Sequence, residues 1–357
     1  MVDLLLGAIG AFLVVLALWD VFETVVVPRP TPGYFRIARY VVRSSWRIVR
    51  SIRDGTNGRP YDRLLGLFAP FATILLLASW LIALIVGYGL IMWALRDQLE
   101  PQPATVGTAI YFAATSLLTI GFGDIVATQL PARILIVVGA VGGLGVVALV
   151  VTFLFSLYAS YQRREIQVVA LQAAAGGPPS AVALLETYAQ LDLVRRLPDL
   201  FVEWQRWAAE VLDSHVAYPL LGFFRSSHDN LSWISALGTV LDAANLILTA
   251  IEGVPRGEAK LFKRVGAHLV EDIYNLGFRS GTPGSLDRSD FEAACDRLAA
   301  AGYTLAPRDA AWKAFAHGRD AYAPRLEAIA AYWASPATSW LGDPVVLRQP
   351  FHPTDEP

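Results

Sequence analysis

Lysine is nearly missing from this chain of 357 residues. It stands only at 260, 263 and 313, and arginine supplies the rest of the 29 basic residues. Charge of either sign is scarce, at 17% of residues against roughly 25% in an average soluble domain. The net charge is −2, so no bulk positive field exists to attract nucleic acid, and no nucleic-acid partner is expected. The single cysteine, Cys295, excludes an intramolecular disulfide and any multi-cysteine zinc site. No dinucleotide fingerprint, phosphate loop or His-Glu zinc motif occurs, and no nucleophile–base pairing stands out, so no cofactor is expected and an enzyme is the weakest reading. What is abundant is apolar: 55% of residues, with a mean hydropathy of +0.45. That composition argues against a fully soluble chain and against a disordered one.

A membrane-spanning helix needs about 20 mostly apolar residues. Three stretches qualify: Leu4 to Val27, Leu64 to Leu95 and Ile134 to Tyr158. A fourth run, Leu231 to Ile251, carries Asp242 and Asn245 at its middle and reads as a buried helix of a water-soluble domain. The first stretch has Asp3 where a signal peptide has basic residues and lacks a small-residue cleavage site, so it reads as a retained anchor. Arginine sets the orientation. Arg29, Arg36, Arg39, Arg43, Arg47, Arg50, Arg53, Arg59 and Arg63 lie between the first two stretches, and Arg163 and Arg164 follow the third. The segment between the second and third, Arg96 to Pro131, holds Arg96 with Asp97, Glu100 and Asp124. The positive-inside rule then places the N-terminus outside and the C-terminal half in the cytoplasm of a cell (inner or plasma) membrane.

Between the second and third stretches, Ala104 to Leu118 is apolar and too short to span, and Thr119-Ile120-Gly121-Phe122-Gly123-Asp124 follows. A short helix leading into a glycine-punctuated segment reads as a re-entrant loop, which membrane depth tolerates only where it lines a wet cavity. A dehydrated cation needs oxygen ligands on all sides. Consecutive backbone carbonyls supply them when the chain alternates between right- and left-handed conformations, and glycine adopts the left-handed one at little cost. Gly121 and Gly123 have that spacing. Ile120 and Phe122 are expected to point away and brace the segment against the short helix, and the Thr119 hydroxyl adds an oxygen at the inner end. The negative end of the short helix's dipole, near Ser116 to Leu118, favours a cation in the cavity beneath.

With its two flanking spans, helix-length lead-in, TIGFGD segment and trailing acid, residues 64–161 closely resemble the potassium channel pore family, whose filter is typified by TVGYG. The resemblance implies that K+ ions are held by the carbonyls of Thr119, Ile120, Gly121, Phe122 and Gly123. It implies that Asp124 sits at the outer mouth, and that Ser116 and Leu118 support the filter from behind. Two departures stand out: Leu118 occupies a position where the family usually has Thr, and no proline follows Asp124. Leu118 removes a hydroxyl from behind the filter and leaves the carbonyl ladder untouched. One filter per chain implies a homotetramer around a cyclic axis.

Several features bear on gating. Gly142 and Gly143 lie about twenty residues past the filter, where family inner helices carry a hinge; close helix packing explains small residues equally well. Phe153, Phe155 and Leu157 are candidates for a lower gate, or simply face lipid. Arg36, Arg39, Arg43, Arg47 and Arg50 recur at helical spacing on one face opposite Ile37, Val41, Ile48 and Ile52, as expected of a basic helix lying on the inner, anionic membrane surface. Sensor arginines of voltage-gated relatives recur every third residue inside a span, which this stripe does not. Asp20 and Glu23, one turn apart near the inner end of the first stretch, are either a titratable switch or partners of loop arginines such as Arg29 or Arg36.

The remainder reads as all-helical. Gly176-Gly177-Pro178-Pro179 breaks the third helix, Ser180 caps the next, and apolar periodicity marks helices at 181–197, 198–215, 230–252, 257–278, 290–301 and 308–334, with an irregular proline-rich tail. His215 and His228 are weak candidates for metal or pH sensing. The expected fold is an all-α membrane protein. It comprises a first span (1–27), an arginine-rich interfacial helix and loop (28–63), a pore domain with outer helix, re-entrant pore helix, filter and inner helix (64–161), and an all-helical cytoplasmic regulatory domain (162–357). The expected function is passive, K+-selective conduction; the competing readings are a nonselective cation channel and a membrane-bound sensor with a vestigial pore.

Overall fold

The computed structural model describes residues 1–27, 36–54, 61–226, 231–278, 286–335 and 339–342. Arg29, Arg59, Tyr34, Ser227, His228 and the expected helix start at Asn230 lie outside the described residues. The chain forms two compact units. The first takes Met1–Ser160 together with Ala217–Phe224; the second takes Tyr161–Val216 and the chain from Arg225 onward.

In the first unit, α1 (Val2–Val21) ends in a π-helical turn, Phe22–Val26. Helix α2 (Ile37–Asp54) carries the arginines, and α3 (Tyr61–Ala94) follows. After a 3-10 turn at Arg96–Gln98 come α4 (Val106–Leu117) and α5 (Leu130–Ala175). Three helical segments, Val2–Val26, Leu65–Ala94 and Leu130–Ala175, are long and apolar enough to cross a membrane. Small residues bring α1 and α3 together: a Cβ on Gly10 would lie 2.4 Å from the Gly87 carbonyl oxygen, and one on Gly87 would lie 2.8 Å from Val14. That close approach suits helices in lipid, where packing replaces the hydrophobic drive. Around the contact, Val14, Ala17, Leu76, Trp80 and Leu84 are buried.

Helix α4 is capped by Thr105, whose hydroxyl accepts from the Thr108 amide. It sits on α3 where Gly89 leaves room; a Cβ there would be 2.6 Å from Ile110. Two short strands, β1 (Leu99–Glu100) and β2 (Val126–Ala127), pair antiparallel and join the two ends of the α4 excursion. Gln98 closes the same joint, its side chain accepting from the Ala132 amide in the first turn of α5 at 3.1 Å.

In the second unit, α8 (Trp233–Thr249) is the central helix, and every side chain from Trp233 to Ile247 is buried. Its 17 residues fall short of a span. Around it lie α6 (Ala181–Gln190), α7 (Leu197–Ala217), α9 (Gly257–Asn275), α10 (Arg288–Ala300), α11 (Arg308–Asp320) and α12 (Ala323–Tyr332). Ser180 caps α6 by accepting from the Ala183 amide.

Three departures from the periodicity have local causes. The helix expected over 181–197 stops at Gln190, because Asp192 turns left-handed at φ 56°. The one expected over 308–334 divides into α11 and α12, with Pro324 admitted in the first turn of α12, where its missing amide costs nothing. The tail is not wholly loose: Trp340 and Leu341 are buried, and their carbonyls accept from the amides of Ala181 and Val182 at 2.8 and 3.0 Å. Gly238 makes space for this, since a Cβ there would meet the Trp340 ring at 2.3 Å.

The polar residues of α8 are satisfied internally. Asp242 accepts from Arg319 Nε at 3.1 Å and from the Tyr322 hydroxyl. Asn245 donates to the Phe315 carbonyl at 2.8 Å and accepts from Lys263 at 2.7 Å. Burial pushes the Tyr322 hydroxyl well above its usual pKa, so tyrosine remains the proton donor in that pair.

Candidate functional site

The segment after α4 has an unusual backbone. Leu118 ends the helix, its amide bonded to the Ala114 carbonyl, and the Thr119 amide bonds to Ser116. The Thr115 carbonyl then accepts from both Ile120 (2.8 Å) and Gly121 (3.1 Å), so the chain turns back across the helix end. Thr119, Gly121 and Gly123 lie at φ 56°, 58° and 77°, while Ile120 and Phe122 between them stay out of the left-handed region. Every second residue from 119 to 123 is therefore left-handed. Glycine adopts this readily; at Thr119 it costs roughly 1–2 kcal/mol. The threonine's conformation has no signal in its residue type.

Two contacts brace the segment from α4. The Phe122 ring stacks on Tyr111, with centroids 6.5 Å apart and planes 7° from parallel. The Tyr111 hydroxyl interacts with the Asp124 carboxylate. Tyr111 escaped the sequence reading because, on an apolar helix, it looks like any other packing aromatic. Behind the segment, Gly143 on α5 lies against the end of α4; a Cβ there would be 2.7 Å from the Leu117 carbonyl oxygen. Gly143 thus has a packing role, whereas a Cβ on Gly142 would meet open space. The Ser116 hydroxyl bonds back to the Phe112 carbonyl at 2.8 Å, within its own helix. Leu118, Ile120 and Phe122 are exposed in the single chain, Phe122 to 68%.

Farther along α5, Phe153 and Leu157 are buried within the first unit, and the Phe153 ring meets Tyr218 edge-on at 5.6 Å. Phe155 is the outward member of the three, 74% exposed.

At the other end of α1, Asp20 joins three helices. It accepts from Trp80 Nε1 of α3 at 2.6 Å and from the Ala38 amide in the first turn of α2 at 3.0 Å. Arg36 Nε lies 3.9 Å from Asp20 and 3.4 Å from Glu23. Arg36 also donates to Thr24 at 3.3 Å. This corrects the expected stripe: Arg36 is buried between two acids rather than turned to a membrane surface, because uncompensated carboxylates there would be costly. Arg39, Arg43, Arg47 and Arg50 remain on α2. Trp46 packs inward, 4.8 Å from Phe68 and 5.1 Å from Phe223.

In the second unit, His215 is buried. Its Nδ1 donates to the Val211 carbonyl at 2.9 Å, and its Nε2 faces Arg164 at 3.2 Å. Burial and the neighbouring guanidinium hold its pKa well below the ordinary value, so the ring is neutral. No cluster of metal-ligating side chains occurs among the described residues.

The left-handed alternation and α4 fall wholly within one recognised stretch, with most of α3 and of α5 on either side of them: residues 73–160 match the family model described as "Ion channel". Those residues are similar to an ion channel domain. The match covers about a quarter of the chain and leaves the whole of α6 to α12 outside it. No curated protein and no solved structure matches the chain.

Proposed function

We propose that this protein is one subunit of a homotetrameric channel that passes K+ passively down its gradient. The backbone alternation at Thr119, Gly121 and Gly123 carries the reading. Repeated around a four-fold axis, it turns successive carbonyls of Thr119, Ile120, Gly121, Phe122 and Gly123 toward the axis, where they replace the ion's water shell. The exposed side chains of Ile120 and Phe122 then find neighbours in the adjacent subunits. Helix α4 is the re-entrant pore helix, and its C-terminal end supports a cation in the inner cavity. Asp124 holds the outer mouth through Tyr111. Helix α3 is the outer helix and α5 the inner one, with Phe155 and the Gly142 region as the elements that narrow or bend it.

The arginine distribution supports an outside N-terminus and a cytoplasmic C-terminal half, regulatory in role, in the cell membrane. Arg39, Arg43, Arg47 and Arg50 then lie at the inner leaflet, suited to anionic lipid. Conduction needs no cofactor and no covalent chemistry.

The test is the reversal potential of the purified protein in planar bilayers under a K+/Na+ gradient. A value near the K+ equilibrium potential, lost in Gly121→Asp, is expected. A value near zero would instead favour a nonselective cation channel, a reading that Leu118 specifically motivates because it removes one hydroxyl from behind the filter. No current under any condition would favour a sensor with a vestigial pore.

A further inference from the structure

Residues 217–224, Ala-Tyr-Pro-Leu-Leu-Gly-Phe-Phe, carry no charge and continue directly from the last residue of α7. They nevertheless pack as part of the first unit. Pro219 opens a 3-10 turn over Pro219–Phe223, and Leu220, Leu221, Phe223 and Phe224 are all buried. Four aromatic contacts distribute the segment over three helices. Tyr218 meets Phe153 of α5 edge-on at 5.6 Å, and Phe224 meets Tyr158 of α5 at 5.8 Å. Phe223 lies 5.1 Å from Trp46 of α2 and 5.4 Å from Phe68 of α3. The next residue of the chain, Arg225, accepts through its carbonyl from the Tyr161 hydroxyl of α5 at 3.1 Å.

We propose that residues 217–224 are a gating coupler: an apolar segment carried between α7 and α8 that grips α5 at Phe153 and Tyr158 and ties it to α2 and α3. The inference rests on the reading of α5 as the inner helix of a channel. The grip falls about three to four turns beyond Gly143 and on either side of the outward-facing Phe155. Helix α5 runs unbroken from Leu130 to Ala175, about 69 Å at 1.5 Å per residue, so a force applied at 153–158 acts along a stiff rod. A simple space-filling plug needs contact with one helix. This segment holds three at once, and its backbone leads straight out of α7, so displacement of α7 is delivered to the pore-lining helix.

The test uses the full-length protein reconstituted in liposomes, comparing wild type with Tyr218→Ala and Phe224→Ala. Amide exchange over residues 153–160 is expected to rise at least tenfold in each variant while that of 119–123 is unchanged. Single-channel open probability is expected to change at least threefold with the same reversal potential. Unchanged exchange over 153–160 overturns the grip. Faster exchange with open probability constant within 1.5-fold overturns the gating role. No current in the wild type overturns the channel reading on which the coupler rests, while the exchange comparison separately decides whether the grip exists. Should the alanine forms fail to assemble, Tyr218→Leu and Phe224→Leu keep apolar bulk and remove the ring contacts, with the same readings decisive at a smaller effect.

Discussion

The segment from Thr119 to Gly123 and the polar network on α8 handle their polar and strained groups in opposite ways. The first leaves its apolar side chains exposed in the single chain and holds a threonine in a left-handed conformation. The second buries one acid and one amide and gives each two partners: Asp242 has Arg319 and Tyr322, Asn245 has Phe315 and Lys263. A single chain therefore satisfies the polar groups of α8 and leaves residues 119–123 with exposed apolar side chains. On the channel reading proposed above, strain and exposure collect where backbone oxygens are presented to an ion; satisfaction collects where only a stable fold is required.

Four measurements break or sharpen that contrast, in descending order of effect. Gly121→Asp should abolish K+ current, at least a hundredfold, with the melting of the helical unit and the assembly state unchanged, since the loss is confined to the filter. Concurrent unfolding would show that the filter segment is structural after all. Asp242→Ala should destabilise the helical unit by about 3 kcal/mol, because it removes the buried carboxylate shared by Arg319 and Tyr322 and leaves Arg319 with the more distant Glu327, 3.8 Å away; denaturant unfolding followed by tryptophan fluorescence reads this. A loss below 1 kcal/mol would mean the network is solvated in solution. Gly238→Ala drives a methyl into the Trp340 ring and should cost about 1–3 kcal/mol, read as a lowered midpoint of thermal unfolding. A neutral result would mean residues 339–342 leave α8 at no cost.

The smallest effect concerns His215, whose folded pKa is depressed by burial and by Arg164. The unfolded chain takes up the proton first as pH falls, so the stability His215 contributes is complete above its ordinary pKa of about 6.5 and is lost progressively below it, by at most about 1.4 kcal/mol per pH unit. Unfolding midpoints recorded from pH 7.5 to 5 should fall in the wild type and flatten in His215→Gln. Equal slopes in both proteins would show that another group sets the acid limit.

Much of the local structure was legible in the residues. The three apolar helices, the Ser180 cap and the positions of Gly121 and Gly123 follow from run length, capping chemistry and the conformational freedom of glycine. Helix ends were less legible, because Asp192 and Pro324 act through backbone geometry that periodicity does not register. At the site itself, Tyr111 and the left-handed conformation of Thr119 carried no signal. Nothing in a threonine announces a positive φ, and a tyrosine that contacts Asp124 looks like one that merely packs. Arg36 fitted two expectations, the basic stripe by its spacing and a pairing with Asp20 and Glu23, and spacing alone does not choose between them; its partners lie 16 and 13 residues away, in α1 and its π-helical end.

The sequence by itself determined which segments are apolar enough to span, where the chain can alternate its handedness, and which face of α2 is basic, since these are properties of neighbours in the chain. Only the tertiary structure decided that Arg36 answers Asp20 and Glu23, that Trp340 and Leu341 return to the start of α6, and that residues 217–224 leave the helical unit to grip α5. Each of those is a choice among many chemically equivalent partners. Burial makes the choice, by charging a desolvation cost to every polar group and every apolar surface that fails to find one.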